Sequence, residues 1–213
     1  KNKNSILDKW KKEIQINTTK KNKVLVIDPY IPRPDQDSGS IDTYNYMRTL
    51  QQLGYEVSLQ TDNCYDYENE YVRKLLKIGI RYDYYPYSQK LKGFLKKHAH
   101  CFDIIIIFRV MNHEDCIPLI RKYAPKTKVI FNTVDLHYLR LERKAEILDN
   151  QEEKTKQLEK ARKTKELELQ MLKTADHTIV VSEKEKNILE DINSDANITL
   201  MPIPRSIPGR SVG

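Results

Sequence analysis

The chain has 213 residues, 39% of them apolar and 31% charged, with a formal net charge of +7; that suffices for one core, in one domain with appendages. Residues 1–23 carry eight Lys against Asp8 and Glu13, a net +6, so the rest is nearly neutral and overall charge gives no case for a nucleic-acid partner. No apolar run approaches the roughly 18 residues that span a bilayer, no secretory leader is legible, and Cys64, Cys101 and Cys116 form no CxxC pair. A cytoplasmic location with reduced, mostly structural thiols is therefore expected.

Residues 1–22 form a basic head in which Ile6, Leu7, Trp10 and Ile14 recur at roughly helical spacing. Two readings stand: a solvated helix packed on the domain, or a helix that docks on a partner or a membrane surface. A body follows over 23–200. Val24 to Ile27 is a continuous apolar run, as expected of a strand buried on both faces. After a loop rich in Pro, Asp and Ser, a helix carries Tyr44, Met47, Leu50 and Leu53 on one stripe and closes at Gly54. Tyr55 to Leu59 predicts a second strand, Val72 to Leu76 a short helix, Ile80 to Tyr84 a third strand and Leu91 to Leu95 a further helix. Strands are also predicted over Ile104–Ile107, Lys128–Phe131 and Thr178–Val181. This alternation implies a Rossmann-like, doubly wound parallel sheet, with the strands at 24–28 and 104–108 adjacent and the first of them central.

Residues 139–175 favour helix throughout and lack Gly and Pro. No apolar residue occurs from Asp149 to Gln157, so this region is either one long projecting helix or, preferably, a helical hairpin with its tip there. Met201 to Gly213 has the Pro and Gly content of a linker, which predicts a further domain beyond it.

In an open parallel sheet, ligands bind beyond the carboxyl ends of the strands, near the switch in strand order. After the first strand stand Asp37, Ser38, Gly39 and Ser40, which either face an anion at a helix N-terminus or simply cap that helix. Arg109 and His113 follow the fourth strand; Arg109 can hold a phosphate or a sugar, or pair with Glu114 or Asp115. Asp135 and His137 follow the fifth and share a cleft if their side chains converge, with His137 as a hydrogen-bonding or acid–base group, although a lone His of this kind is usually structural. Ser182 and Glu183 need no reading beyond a helix cap. Seven Tyr cluster between 65 and 87, which suits sugar rings, RNA bases or plain packing. The His spacing favours no metal site.

Four stretches in this order, VLVIDPYIPRPDQDSGS, LGYEVSLQTDN, VIFNTVDLHYLR and ELELQMLKTADHTIVVSEKEKNIL, resemble the N-terminal domain of bacterial family-4 glycosyltransferases, of the kind that build O-antigen and other surface polysaccharides. The resemblance covers roughly residues 23–205. It implies the N-terminal, acceptor-side half of a GT-B fold, in a retaining transferase that needs no metal or cofactor and takes a nucleotide-sugar as co-substrate. By the same resemblance, residues 37–40 match the small-residue loop facing the donor phosphates, with one Gly where many members have two. His137 falls where members place a histidine against the donor sugar, and Asp135 and Arg109 line the same cleft. The nucleotide-sugar would be held mainly by a C-terminal domain beyond 201–213, leaving this fragment alone inactive. The expected partner is a glycan or glycolipid acceptor, with peripheral contact at the inner face of the plasma membrane through 1–23. The alternative is a non-catalytic carbohydrate- or ligand-binding module of the same fold.

Overall fold

The computed structural model describes residues 22–63, 65–87, 89–110 and 115–202. The basic head, His113 and most of the 201–213 segment lie outside the described residues. Seven strands form one sheet: β1 (Lys23–Asp28), β2 (Glu56–Thr61), β3 (Arg81–Tyr82), β4 (Ile104–Phe108), β5 (Lys128–Asn132), β6 (His177–Val180) and β7 (Ile198–Leu200). Every neighbouring pair is parallel, in the order β3-β2-β1-β4-β5-β6-β7. β1 pairs directly with β4, as expected, but the middle of the seven is β4 and β1 is the third strand from one side.

The apolar runs behave as the two-faced burial of a parallel sheet requires. Leu25 and Ile27 of β1 join Ile105 and Ile107 of β4 in one layer, under α3 (Leu91–His98) and α4 (Cys116–Tyr123). Val24 and Val26 point the other way, with Ile106 and Phe108, under α1 (Ser38–Gln52) and α2 (Glu70–Lys77). All four β1 residues are fully buried, and each such side chain contributes about 1.5–3 kcal/mol. A third cluster, of Leu136, Tyr138, Leu172, Val180 and Leu189, lies among α5 (His137–Glu146), α6 (Gln151–Thr174) and α7 (Glu183–Ile192).

The 139–175 region is a hairpin: α5 and α6 pack against each other, and the chain turns at 147–150. Asn150 makes the turn decisive, because its side chain accepts the N–H groups of Glu152 and Glu153 and so starts α6 afresh. The apolar-free stretch becomes the exposed first turns of α6. Three elements were not anticipated, one of them the short 3-10 helix Ala99–Cys101. α4 buries Cys116, Ile117 and Ile120 and tolerates Pro118 because that residue lies in the first turn, where no intrahelical N–H is required. β7 adds an edge strand just before the Pro-rich tail. β3 is shorter than expected, reduced to Arg81 and Tyr82. Among the described residues no helix is long and apolar enough to cross a membrane.

Candidate functional site

The strand order reverses between β1 and β4, so the loops leaving these two strands diverge and open a cleft at the carboxyl edge. The cleft encloses about 390 Å³ and is lined by Tyr30, Asp37, Ser38, Gly39, Asp42, Arg109, Val134, Asp135, His137 and Arg140. Six of the eight residues singled out from the sequence are therefore brought together. Ser40 is not: it is buried, and its hydroxyl donates to Asp37 Oδ2 at 2.6 Å instead of facing the cleft. His113 lies outside the described residues.

The floor is an ion-pair network that the sequence did not announce. Asp28 ends β1 fully buried; its Oδ1 accepts from Arg109 Nη1 at 2.7 Å and its Oδ2 from the Thr43 hydroxyl at 2.6 Å. Burial pushes the Asp28 carboxyl up to about 6, against the opposing pull of Arg109 and Thr43. Arg109 also lies 3.6 Å from Asp37. Of the two acids that offered Arg109 a pairing in sequence, Asp115 pairs with Lys92 instead and Glu114 lies outside the described residues; Arg109 pairs with Asp28 and lies near Asp37.

Gly39 is explained by this network. A Cβ there would collide with the Arg109 guanidinium, so the glycine leaves room for the arginine to reach Asp28. Asp37 caps α1, its Oδ1 accepting the Ser40 N–H at 2.8 Å, which confirms the capping geometry and sets a carboxylate at the helix start where a phosphate would sit.

On the far wall, Asp135 and His137 converge. His137 Nε2 is 3.0 Å from Asp135 Oδ1, and Arg140 Nη1 is 3.2 Å from Asp135 Oδ2. Burial works to raise the Asp135 carboxyl, but the His137 hydrogen bond and the nearby cations outweigh it and hold it below the usual range. The carboxylate stays charged and accepts the Nε2 proton of His137. Arg140, three residues beyond His137 in the first turn of the same helix, was missed from the sequence although its spacing places it on the same face.

Among the described residues, two that are not glycine have left-handed backbones, Arg109 (φ 65°) and Val134 (φ 62°), and both line this cleft. For a β-branched residue this is an outlier, and strain of about 1–3 kcal/mol per residue persists where the surroundings over-determine it. Asn132 supplies that constraint: its backbone carbonyl accepts the Arg109 N–H, and its Oδ1 accepts the Val134 N–H at 3.0 Å.

The tyrosines divide. Tyr71 and Tyr82 are buried and hydrogen-bonded, to Asp35 and Thr61 respectively. Tyr67, Tyr85 and Tyr87 are exposed, the last two at 64% and 73%. Among the described residues no group of His, Cys, Asp and Glu is placed to hold a metal ion.

No protein-family model matches the chain, and no curated protein matches it in sequence. Among solved structures it is similar to sucrose-phosphate synthase from Thermosynechococcus elongatus, with a TM-score of 0.58 and 14% identity over 85% of this chain and 48% of that one. A second structure of that synthase aligns over 87% of this chain and 90% of that one at 15% identity, with a TM-score of 0.47. The chain thus spans about half the length of the first structure. What the likeness establishes is the fold: this is a Rossmann-like α/β domain with a parallel sheet, of the kind found in a GT-B glycosyltransferase.

Proposed function

We propose that this chain is the acceptor-side half of a retaining glycosyltransferase, which moves a sugar from a nucleotide-sugar to a glycan or glycolipid acceptor in surface polysaccharide synthesis, at the inner face of the plasma membrane. The observation that carries the reading is the Asp135–His137 pair at the carboxyl edge, in a cleft whose two guanidiniums are already paired: Arg109 to Asp28 and Arg140 to Asp135. Such a wall offers fixed donors and acceptors rather than a spare cation, which suits a hydroxyl-rich sugar.

Transfer breaks the bond between the anomeric carbon and the diphosphate oxygen, which keeps the electron pair, and forms a bond to the acceptor hydroxyl oxygen, whose proton passes to the departing diphosphate. The departing diphosphate needs preorganised cations or helix N–H groups. Here the α1 N-terminus is occupied by the Asp37 carboxylate, so this wall is poorly built for phosphate. The reading therefore assigns the diphosphate to a second domain, and His137 to a hydroxyl of the sugar. The test is nucleoside diphosphate release by the full-length protein across a panel of nucleotide-sugars with acceptor extract. Release that falls when His137 is replaced by Ala supports the reading. Tight calorimetric binding of a nucleotide-sugar by residues 1–213 alone would contradict the division of labour.

The paired guanidiniums also favour a second reading, a carbohydrate-binding module without transfer. It predicts sugar binding in the cleft with no nucleoside diphosphate released by the full-length protein.

A further inference from the structure

We propose that Glu168 is a positioning residue for His137: carried by the second arm of the hairpin, its carboxylate grips the first turn of α5 and so holds the imidazole against Asp135. The inference rests on the reading that His137 acts in the cleft.

The first turn of a helix leaves N–H groups without intrahelical partners, and a residue such as Ser, Asp or Asn just before it normally accepts one of them. α1, α6 and α7 are started this way, by Asp37, Asn150 and Ser182. α5 begins instead after Leu136, whose side chain accepts nothing. Its N–H groups are met from a distance. Glu168 Oε1 accepts the His137 N–H at 2.8 Å, Glu168 Oε2 accepts the Tyr138 N–H at 3.1 Å, and Glu185 Oε1, from α7, accepts the Leu136 N–H at 3.0 Å. Both oxygens of one carboxylate on consecutive N–H groups fix the orientation of the turn as well as its position. The Asp135–His137 contact spans that turn, so its geometry depends on the grip.

A helix start that needed only stability has a cheaper solution in a local cap. Glu168 is 1% exposed and packs next to the apolar cluster of Leu136, Tyr138 and Leu172. A buried carboxylate is expensive, and this one faces two further acids, Asp135 and Glu185, while the nearby Lys165 ammonium lies over the Tyr138 ring. Burial and those acids push its carboxyl up to about 7 although two N–H groups favour the charged form. The arrangement trades stability for the fixed placement of the residue it holds, and that residue is the one facing the cleft. It also connects the hairpin to the site: His137 and Glu168 are 31 positions apart, and the chain between them is the hairpin itself.

The test needs no ligand. In protein labelled with 15N-histidine, His137 is assigned among the five His by its loss in His137→Gln. The wild type should show a protected Nε2 proton. Glu168→Gln, of the same shape, offers one acceptor where two are needed and should make that ring proton exchange about tenfold faster, the factor corresponding to ~1.4 kcal/mol. Glu168→Asp keeps the charge but withdraws it by one methylene, and should also move the ring signals. Leu172→Ala loosens the same cluster but leaves both carboxylate bonds to the first turn of α5 in place, and should leave the ring protected. Unchanged ring exchange in Glu168→Gln and Glu168→Asp, with faster exchange confined to the His137 and Tyr138 amides, would reduce Glu168 to a helix anchor and overturn the proposal. An equal effect from Leu172→Ala would overturn it as well. Failure of the full-length protein to release nucleoside diphosphate bears only on the proposed function, because the ring signals do not depend on turnover.

Discussion

Two aspartate–arginine pairs close the two edges of this sheet, and their chemistry runs in opposite directions. At the amino edge, Asp176 accepts from Arg121 at 2.8 Å and from the Val129 N–H at 2.7 Å, while Arg121 also donates to the carbonyls of Thr127 and Thr174. The pair is part-exposed, and although burial works to raise the Asp176 carboxyl, these bonds and charges outweigh it and hold it down. At the carboxyl edge, Asp28 has a comparable set of partners yet sits higher than an ordinary carboxylate, because complete burial wins. The first pair staples strands together. The second is a buried charge that the fold must support. Both left-handed residues and three acids, Asp28, Asp37 and Asp135, gather around it, and none of this is needed to build the sheet. Strain and awkward charge concentrated at one edge are what distinguish a site from a seam.

The sharpest way to break this comparison is to remove each arginine. Arg109→Met should lower unfolding free energy by about 3–5 kcal/mol in urea titrations near neutral pH, because it strips the partner from a buried carboxylate. Arg121→Met should lower it by only about 1 kcal/mol, the scale for a solvent-screened pair. The double variant Asp28→Asn, Arg109→Met should recover much of the first loss. If it is as unstable as Arg109→Met alone, the two side chains are not coupled and the network is misdescribed.

A smaller effect is expected at Gly39. Alanine in a helix is normally favourable by up to about 1 kcal/mol, but here its Cβ meets the Arg109 guanidinium, and overpacking of this kind typically costs about 1–3 kcal/mol. Gly39→Ala should therefore destabilise the wild type and become neutral or stabilising in the Arg109→Met background. Denaturation midpoints of the four proteins in that cycle decide it; a constant Gly39→Ala effect in both backgrounds would mean the glycine serves something other than the arginine.

The pH dependence of stability should also follow the carboxyl edge. Burial lifts Asp28 to about 6 and, together with neighbouring acids, lifts Glu168 to about 7, so the folded protein holds protons that the unfolded chain has already released near pH 4 to 4.5. That contribution is complete below the unfolded values and is lost as pH rises through 6 and 7. Asp176 and Asp135 act oppositely, but only as pH falls through their lowered values. Denaturation midpoints should fall between pH 5 and pH 8, and Glu168→Gln should flatten the slope. A midpoint that rises over this range would show that the two acids are not desolvated as described.

The legible parts of the fold were those where burial is complete. β1 and β4 are apolar at successive positions because both faces are covered, and no solvated strand or helix shows that pattern. β7 gave no such signal: it has three residues, all part-exposed. α4 was hidden by brevity and by Pro118. In the site, residues just after each strand could be picked out because the carboxyl-edge rule depends on order alone. Asp28 could not, since an acid ending a strand looks ordinary until its partner arrives from 81 residues away. Glu168 was harder still. It sits in a helix crowded with Lys and Glu, and only the hairpin geometry turns that one carboxylate inward while Glu166, two residues before it, pairs with Arg162 at the surface. Ser40 was over-read for the same reason in reverse: spacing places it at the mouth, and Asp37 takes its hydroxyl.

The smallest expected effect separates packing from exposure among the tyrosines. The loops after β2 and β3 are clasped together, with the Tyr85 N–H on the Tyr65 carbonyl at 2.8 Å, and they bring Tyr67, Tyr84 and Tyr87 into ring contact at 5.3 and 5.9 Å between centroids. Tyr82 lies beneath them; its hydroxyl meets Thr61 Oγ1 at 3.0 Å and accepts the Tyr65 N–H at 3.3 Å. Tyr82→Phe removes those bonds in a buried place and should cost about 1–2 kcal/mol. Tyr87→Ser removes a ring that is mostly in water and should change stability by less than about 0.5 kcal/mol. Thermal unfolding of the two variants makes the comparison. A loss from Tyr87→Ser as large as that from Tyr82→Phe would mean that the exposed rings brace the loops. Near-neutrality would mean that the fold can do without Tyr87, and the carboxyl edge would then carry an aromatic surface, as it carries its buried charges, for reasons other than stability.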